Sequence, residues 1–298
     1  SSDWSSDVCS SDLADNGIGM AAELAVLASD NLKHGKLQAL FTVDEETGLT
    51  GAFGMEEGFF DGDYLLNLDS EDEAEIFIGC AGGIDTTSTF TYQRAMTPEN
   101  YFYLRIDVRN LLGGHSGGDI HLGRGNANKI LARFLWQCMK KYDMVLCSID
   151  GGNLRNAIPR EATAVIGVHQ AAKEDVRADL NHYIPVIEDE LRGIEPSVKI
   201  TMESVDEPEF CIDHETAWNL VNALYAIPHG VIAMSRDIPG LVETSTNLAS
   251  VKMKNENEIV VATSQRSSVE SEKYNIAHQI ESIFLLAKSK PTHGDGYP

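Results

Sequence analysis

Three adjacent carboxylates, Asp44, Glu45 and Glu46, close an apolar run from Leu37 to Val43. Carboxylates this close repel one another unless water or a cation compensates them. Strand alternation would point Glu45 away from Glu46, whereas a turn would bring both toward one pocket. Asp15 stands just before a glycine-rich entry into helical sequence, and Asp69 ends the apolar run YLLNL. Acids at three such ends suit a metal centre, and equally suit helix caps and turns. His115 lies in GGHSGGDIH with five glycines nearby, a loop able to approach a ligand closely or to form a plain turn. No GK[ST] follows, so a phosphate-binding loop is disfavoured. GGNLRNAIPR offers Arg155 or Asn156 as donors, and Arg266, after an apolar strand, has the two-pronged guanidinium that clamps a carboxylate.

The elements that must position these groups read as α/β sequence. A helix is expected over 17–29, with Met20, Leu24, Leu27 and Ala28 as its stripe. Strands are expected at 37–43, 64–68 and 74–80, with a short helix at 50–57 between them. Strands alternating with helices favour a crossover sheet with its polar groups at strand ends. After Gly82 the pattern changes to threonine-rich alternation, giving strands at 84–94 and 101–110. A helix over 126–140 carries Ile130, Leu131, Phe134, Leu135, Cys138 and Met139 at the 3.6 period. Strands at 144–149, 162–168, 196–203, 231–235, 244–253 and 258–264 alternate with helices at 172–192, at 213–227 and from 269. Two successive sheet-plus-helix units, an internal duplication, would give an α+β second domain.

The 46 acidic against 23 basic residues give a formal charge of -23, which argues against nucleic acid or an anionic membrane as partner. The charge is uneven: residues 1–13 carry -3, residues 14–82 carry -13 and the remaining 216 carry -7. No run of 18 apolar residues exists, so a spanning helix is not expected. Five scattered cysteines without a CxxC pair suit small core residues in a reducing compartment, consistent with a cytoplasmic location. The opening SSDWSSDVCSSDL repeats SSD three times. It reads as adapter-derived sequence at 1–13 and not as a signal peptide.

In order along the chain, ADNGIGMA, TVDEETGLTGA, LLNLDSED, GGHSGGDIHLGRGNANK and GGNLRNAIP resemble the M20 metallopeptidases, in the aminoacyl-histidine dipeptidase branch. The resemblance covers 14–298. It implies an α/β catalytic domain interrupted by an inserted α+β lid, two zinc ions (replaceable by cobalt or manganese) and hydrolysis of Xaa-His and other short peptides. It assigns 14–83 to part of the catalytic domain, 84–290 to the lid and 291–298 to the return. Asp15 then resembles the carboxylate bridging both metals, Glu46 and Asp69 a ligand of each, and Glu45 the general base. His115 resembles the lid histidine that steadies the oxyanion, Asn156 a substrate contact, and Arg266 the holder of the substrate's C-terminal carboxylate. A homodimer through the lid is also implied. The family's His-x-Asp motif is not found before Asp15, and its C-terminal metal histidine is expected beyond Pro298; His293 follows Pro291 in an expected turn and does not match it. The chain therefore reads as interrupted at both ends, with weak metal binding and little activity expected of it. Related amidohydrolases acting on N-acyl amino acids or tripeptides are the alternative within this chemistry, and a non-catalytic binding or dimerisation module the alternative outside it.

Overall fold

The computed structural model describes residues 16–45, 50–69 and 79–297. It divides into two compact units, residues 1–79 and 80–298. In the first unit, helix α1 (Gly17–Leu27) is capped by Asn16, whose side chain accepts from the Gly19 N–H at 2.8 Å. The expected stripe of α1 is not a buried one: Met20, Leu24 and Leu27 are all exposed. A four-residue helix, α2 (Thr50–Phe53), stands within the expected 50–57.

The strands expected at 37–43 and 64–68 do not form, and both stretches are without regular structure. A strand exists only through hydrogen bonds to a neighbour. Among the described residues of this unit none supplies a ladder, so apolar sequence alone does not make the element. Most of the strand expected at 74–80 lies outside the described residues.

The second unit is built on one nine-stranded sheet. Its strands are β1 (Gly82–Thr91), β3 (Tyr101–Arg109), β5 (Val145–Gly151), β7 (Ala162–His169), β8 (Lys199–Ser204), β10 (Gly230–Met234), β11 (Val242–Lys254), β12 (Glu258–Ser267) and β13 (Lys290–His293). They run in the order β13-β1-β12-β11-β5-β7-β3-β8, with β10 paired to β11, while β2 (Arg94–Ala95) and β9 (Cys211–Ile212) form a separate two-stranded ladder. Every pairing is antiparallel. The threonine-rich alternation after Gly82 is the signature of such strands, one face buried and the other less so. The two sheet-plus-helix units expected from the sequence are thus one continuous sheet, joined where β11 meets β5 at Val251↔Gly151 and Lys252↔Asp150. The expectation of an α+β fold holds, and outward from this join the two halves of the sheet, β11-β12-β1-β13 and β5-β7-β3-β8, run in corresponding order, each with two helices.

Helices α3 (Ala127–Lys141), α4 (Lys173–Glu190), α5 (His214–Ala226) and α6 (Glu270–Leu286) complete the unit. The periodic residues of α3 are core residues: Ile130, Leu131, Phe134, Leu135 and Cys138 are buried against Leu104, Ile106 and Ile166 of the sheet's inner strands. Ile276, Ile280 and Phe284 do the same from α6. Residues 290–293, at the expected junction of lid and return, form β13 against β1 with Thr86 opposite His293, so His293 ends a strand and does not sit in a turn.

Candidate functional site

In the second unit the structure gathers His115, Arg266 and the loop containing Asn156. The short strands β4 (Gly114–His115) and β6 (Ala157–Ile158) pair, placing His115 opposite Ala157. The Ser116 N–H donates to the Asn156 carbonyl at 2.7 Å, which locks the two glycine-led loops together. Gly113 and Gly114 have φ of +67° and +141°, a backbone in which other residues are strained. The turn is closed by Asp119, which accepts from the His115 N–H at 2.9 Å and from Arg124 Nη1 at 3.1 Å. Arg124 also reaches the Gly113 carbonyl at 2.6 Å.

The orientation of the His115 ring follows from one bond. The Gly118 N–H donates to His115 Nδ1 at 3.0 Å, so Nδ1 is an acceptor and the neutral ring carries its proton on Nε2. Burial pushes the His115 pKa below the ordinary histidine value, and the charge of Arg266 pushes the same way, against the opposing pull of Asp119. His115 is therefore a neutral Nε2–H donor at neutral pH.

Gly117 is the reason these two groups meet. A Cβ at Gly117 would lie 3.2 Å from His115 Cε1, 3.2 Å from Arg266 Cδ and 3.3 Å from Arg266 Cζ. Its missing side chain leaves the imidazole and the guanidinium side by side. Arg266, on β12, donates through Nη1 to Tyr297 Oη at 3.0 Å, while its buried Nε has no hydrogen-bond partner. No carboxylate pairs with it among the described residues. A half-buried guanidinium with unspent donors is poised to take an anion. Gly83, opposite Arg266, admits the Tyr297 ring, which a Cβ there would approach within 2.7 Å.

Asn156 is exposed, and among the described residues it is engaged through its backbone carbonyl. Arg155, its alternative as donor, instead points Nη1 at Asp85 Oδ2, 3.5 Å away. A polar residue that sequence reading missed is Asn247 of β11. It is fully buried, donates to the Ala157 carbonyl at 2.8 Å and leaves its Oδ1 without a partner. Its only sequence signal is an asparagine inside a strand that otherwise reads as core.

In the first unit, Asp44 has φ of +57° and accepts from Thr50 Oγ1 at 2.8 Å. The chain thus turns at Asp44, and strand alternation stops there. Gly51 makes this turn tight: its N–H donates to the Val43 carbonyl at 3.0 Å, and a Cβ there would meet the Val43 nitrogen at 2.5 Å. Glu45 is exposed, and Asp69 is half-buried, its N–H donating to Asn67 Oδ1 at 3.1 Å. Asp15 and Glu46 lie outside the described residues.

Residues 106–194 match the family model of the M20 peptidase dimerisation domain. Over these residues the chain is similar to an M20 peptidase dimerisation domain. It is 40% identical, over 285 residues, to the cytosol non-specific dipeptidase of Escherichia coli (strain K12), covering 96% of this chain and 59% of that protein. The crystal structure of aminoacylhistidine dipeptidase from Vibrio alginolyticus superposes with a TM-score of 0.82 at 41% identity, covering 96% of this chain and 58% of that one. The mixed α/β fold is thus similar to that of the aminoacylhistidine dipeptidase structure, and the chain spans less than three fifths of the length of these relatives. His115, Asn156 and the Asp119–Arg124 turn all fall in, or pair with, this M20 domain. No described helix is long and apolar enough to cross a membrane.

Proposed function

We propose that the protein to which these residues belong is a cytoplasmic, metal-dependent dipeptidase that hydrolyses Xaa-His and other short peptides, working as a homodimer through the lid. The juxtaposition of His115 Nε2–H and the Arg266 guanidinium across Gly117 carries this reading. In a dipeptide the scissile carbonyl and the terminal carboxylate are separated by one residue, about 4 Å. An oxyanion donor beside a carboxylate clamp selects that length, and a longer peptide would carry its carboxylate past Arg266. Identity to two dipeptidases over nearly the whole chain supports the reading.

Two zinc ions, or cobalt or manganese in their place, are the proposed cofactor. Their expected ligands here are Asp15, Glu46 and Asp69, a set of oxygens alone. Catalytic zinc takes three protein ligands, and imidazole favours it over harder cations. These three carboxylates do not amount to a two-zinc set. Within this chain Glu45 takes the proton of the attacking water and returns it to the leaving amine. His115 donates to the developing oxyanion, a contribution of about 3 kcal/mol for one such donor. Asn156 contacts the substrate, and Arg266 fixes its carboxylate.

A substrate panel of dipeptides, tripeptides and N-acyl amino acids, assayed with the full-length protein and added zinc, tests this. Dipeptides with a free C-terminus should lead, and Arg266→Met should raise their KM by about tenfold to a hundredfold with a smaller effect on kcat. Faster hydrolysis of N-acyl amino acids or tripeptides would place the protein among the related amidohydrolases. A chain that dimerises but shows neither zinc binding nor turnover would favour the binding-module reading.

A further inference from the structure

Far along the chain from the acidic triplet, His278 and Glu281 of α6 and His293 of β13 bring one nitrogen or oxygen each to within 4.8 Å of one another. His278 and Glu281 are three residues apart and share a face of the helix. The imidazole rings of His278 and His293 have centroids 5.9 Å apart. His293 Nε2 lies 3.4 Å from Glu281 Oε2.

The protonation of His293 can be traced through a buried network. The Thr263 hydroxyl donates to the Thr86 carbonyl at 3.0 Å, so it must accept from Gln265 Nε2, 2.8 Å away. That fixes the Gln265 amide with Oε1 toward Thr86. The Thr86 hydroxyl spends its one proton on Gln265 Oε1 at 2.8 Å. It can therefore only accept from His293 Nδ1, 2.9 Å away. His293 thus carries a proton on Nδ1 and directs Nε2 toward Glu281. That Nε2 is enclosed and has no hydrogen-bond partner. An imidazole nitrogen facing a carboxylate in an enclosed place is favourable only with a cation between them, either a proton or a metal ion.

We propose that His278, Glu281 and His293 form a binding site for a divalent transition-metal ion of the zinc class. Two imidazole nitrogens and one carboxylate oxygen are the donor types zinc takes, with a fourth position for water. The Thr86–His293 hydrogen bond is the outer support that fixes the tautomer and ring plane of a metal-binding histidine. Half-buried Glu281 and His293 set the floor of the site, and the exposed His278 side chain stands over it with its ligand nitrogen within 4.8 Å of theirs. Such an ion would staple α6 to β13 at the edge of the large sheet, remote in sequence from Asp15, Glu46 and Asp69.

Zinc binding is measured by competition with a chromogenic chelator, using a Glu46→Gln/Asp69→Asn background so that the proposed catalytic carboxylates do not contribute. One equivalent should bind at micromolar affinity, and zinc should raise the melting temperature. His278→Gln and Glu281→Gln should each weaken binding at least tenfold while leaving the metal-free melting temperature unchanged. His293→Gln is avoided because it would break the Thr86 network. Unaltered affinity in His278→Gln, or no binding below millimolar zinc in the background protein, overturns the site. So does a His293 Nε2 that nuclear magnetic resonance finds protonated at pH 7.5 and indifferent to zinc, because the pair with Glu281 is then an ordinary imidazolium bridge.

Discussion

Residues 80–298 and residues 16–69 contain similar apolar runs and use them differently. In the larger unit Leu104, Ile106 and Leu135 are fully buried between sheet and helices. In the smaller one Tyr64 and Leu66 are 91% and 81% exposed, and the sequence around them forms no strand. The contrast is one of topology. Antiparallel strands find partners close in sequence, as β11 finds β12 across a three-residue turn, so alternation alone is nearly enough to specify them. A parallel strand of the crossover type needs partners far away, and its apolar character does not create them.

Thiol labelling would break that comparison most sharply. Cys80 is exposed at the boundary of the units, whereas Cys138, Cys147 and Cys211 are buried. Burial also pushes the Cys138 thiol up to about 12, leaving almost no thiolate at neutral pH. Cys147 and Cys211 face one another with sulfurs 3.0 Å apart inside the larger unit. Under native conditions Cys80 should be alkylated at the rate of a free thiol. The other three should be slower by a factor on the order of 10³ or more, since they react only on cooperative opening. Comparable rates, followed by peptide mapping, would mean that the larger unit does not keep these three thiols in a closed core.

Core truncation is the next largest effect. Phe134→Ala removes a ring buried beside Tyr183, their centroids 5.3 Å apart, and should cost about 3–5 kcal/mol in urea unfolding of the larger unit. Leu66→Ala, at an exposed position, should change stability by less than about 0.5 kcal/mol. A large loss from Leu66→Ala would show that the smaller unit buries this run after all.

What could be read from sequence follows the same division. The helix over 126–140 and the strands 101–110 and 258–264 were legible because the residues that create each pattern also bury it. The turn at Asp44 was not, because its cause is a close approach of Gly51 to Val43, a contact no local period encodes. The joining of two apparent sheets into one was hidden too, since strand order is set by pairings such as β5 with β11 across about a hundred residues. At the site, the glycines around His115 announced a loop. The use of Gly117 to seat Arg266, 149 positions later in the chain, is a tertiary fact. Asn247 was missed because a buried asparagine in a strand has no signature until its partner, the Ala157 carbonyl, is in place.

A smaller effect concerns His229, which sharpens how the larger unit responds to acid. Burial, and after it the charge of Lys129, pushes its pKa down to about 4. Asn126 uses Oδ1 to cap α3 and so presents Nδ2 to His229 Nδ1 at 3.3 Å, leaving that nitrogen no room for a proton. The unfolded state binds a proton near pH 6.5 and the folded state only near 4, so this stabilisation is complete above pH 6.5 and lost as the pH falls through that window. Its full size is at most about 3 kcal/mol. His229→Gln should flatten the stability profile between pH 6.5 and 4, and an unchanged slope would assign the acid sensitivity to other groups.

The smallest effect tests the pairing of His115 with Arg266 directly. Burial lowers the His115 pKa first, the Arg266 charge second, and Asp119 acts in the opposite sense. Removing the guanidinium with Arg266→Met should therefore raise the His115 pKa toward the ordinary value. Asp119→Asn should lower it further, provided the Gly118 N–H bond to Nδ1 survives. Both shifts can be followed by the ring proton resonances, without substrate or metal. An increase in one variant and a decrease in the other requires His115 to sit within the fields of both groups, on the geometry set by Gly117. Shifts of the same sign, or none, would mean that the two groups proposed to hold the scissile carbonyl and the terminal carboxylate of a dipeptide do not face a common space.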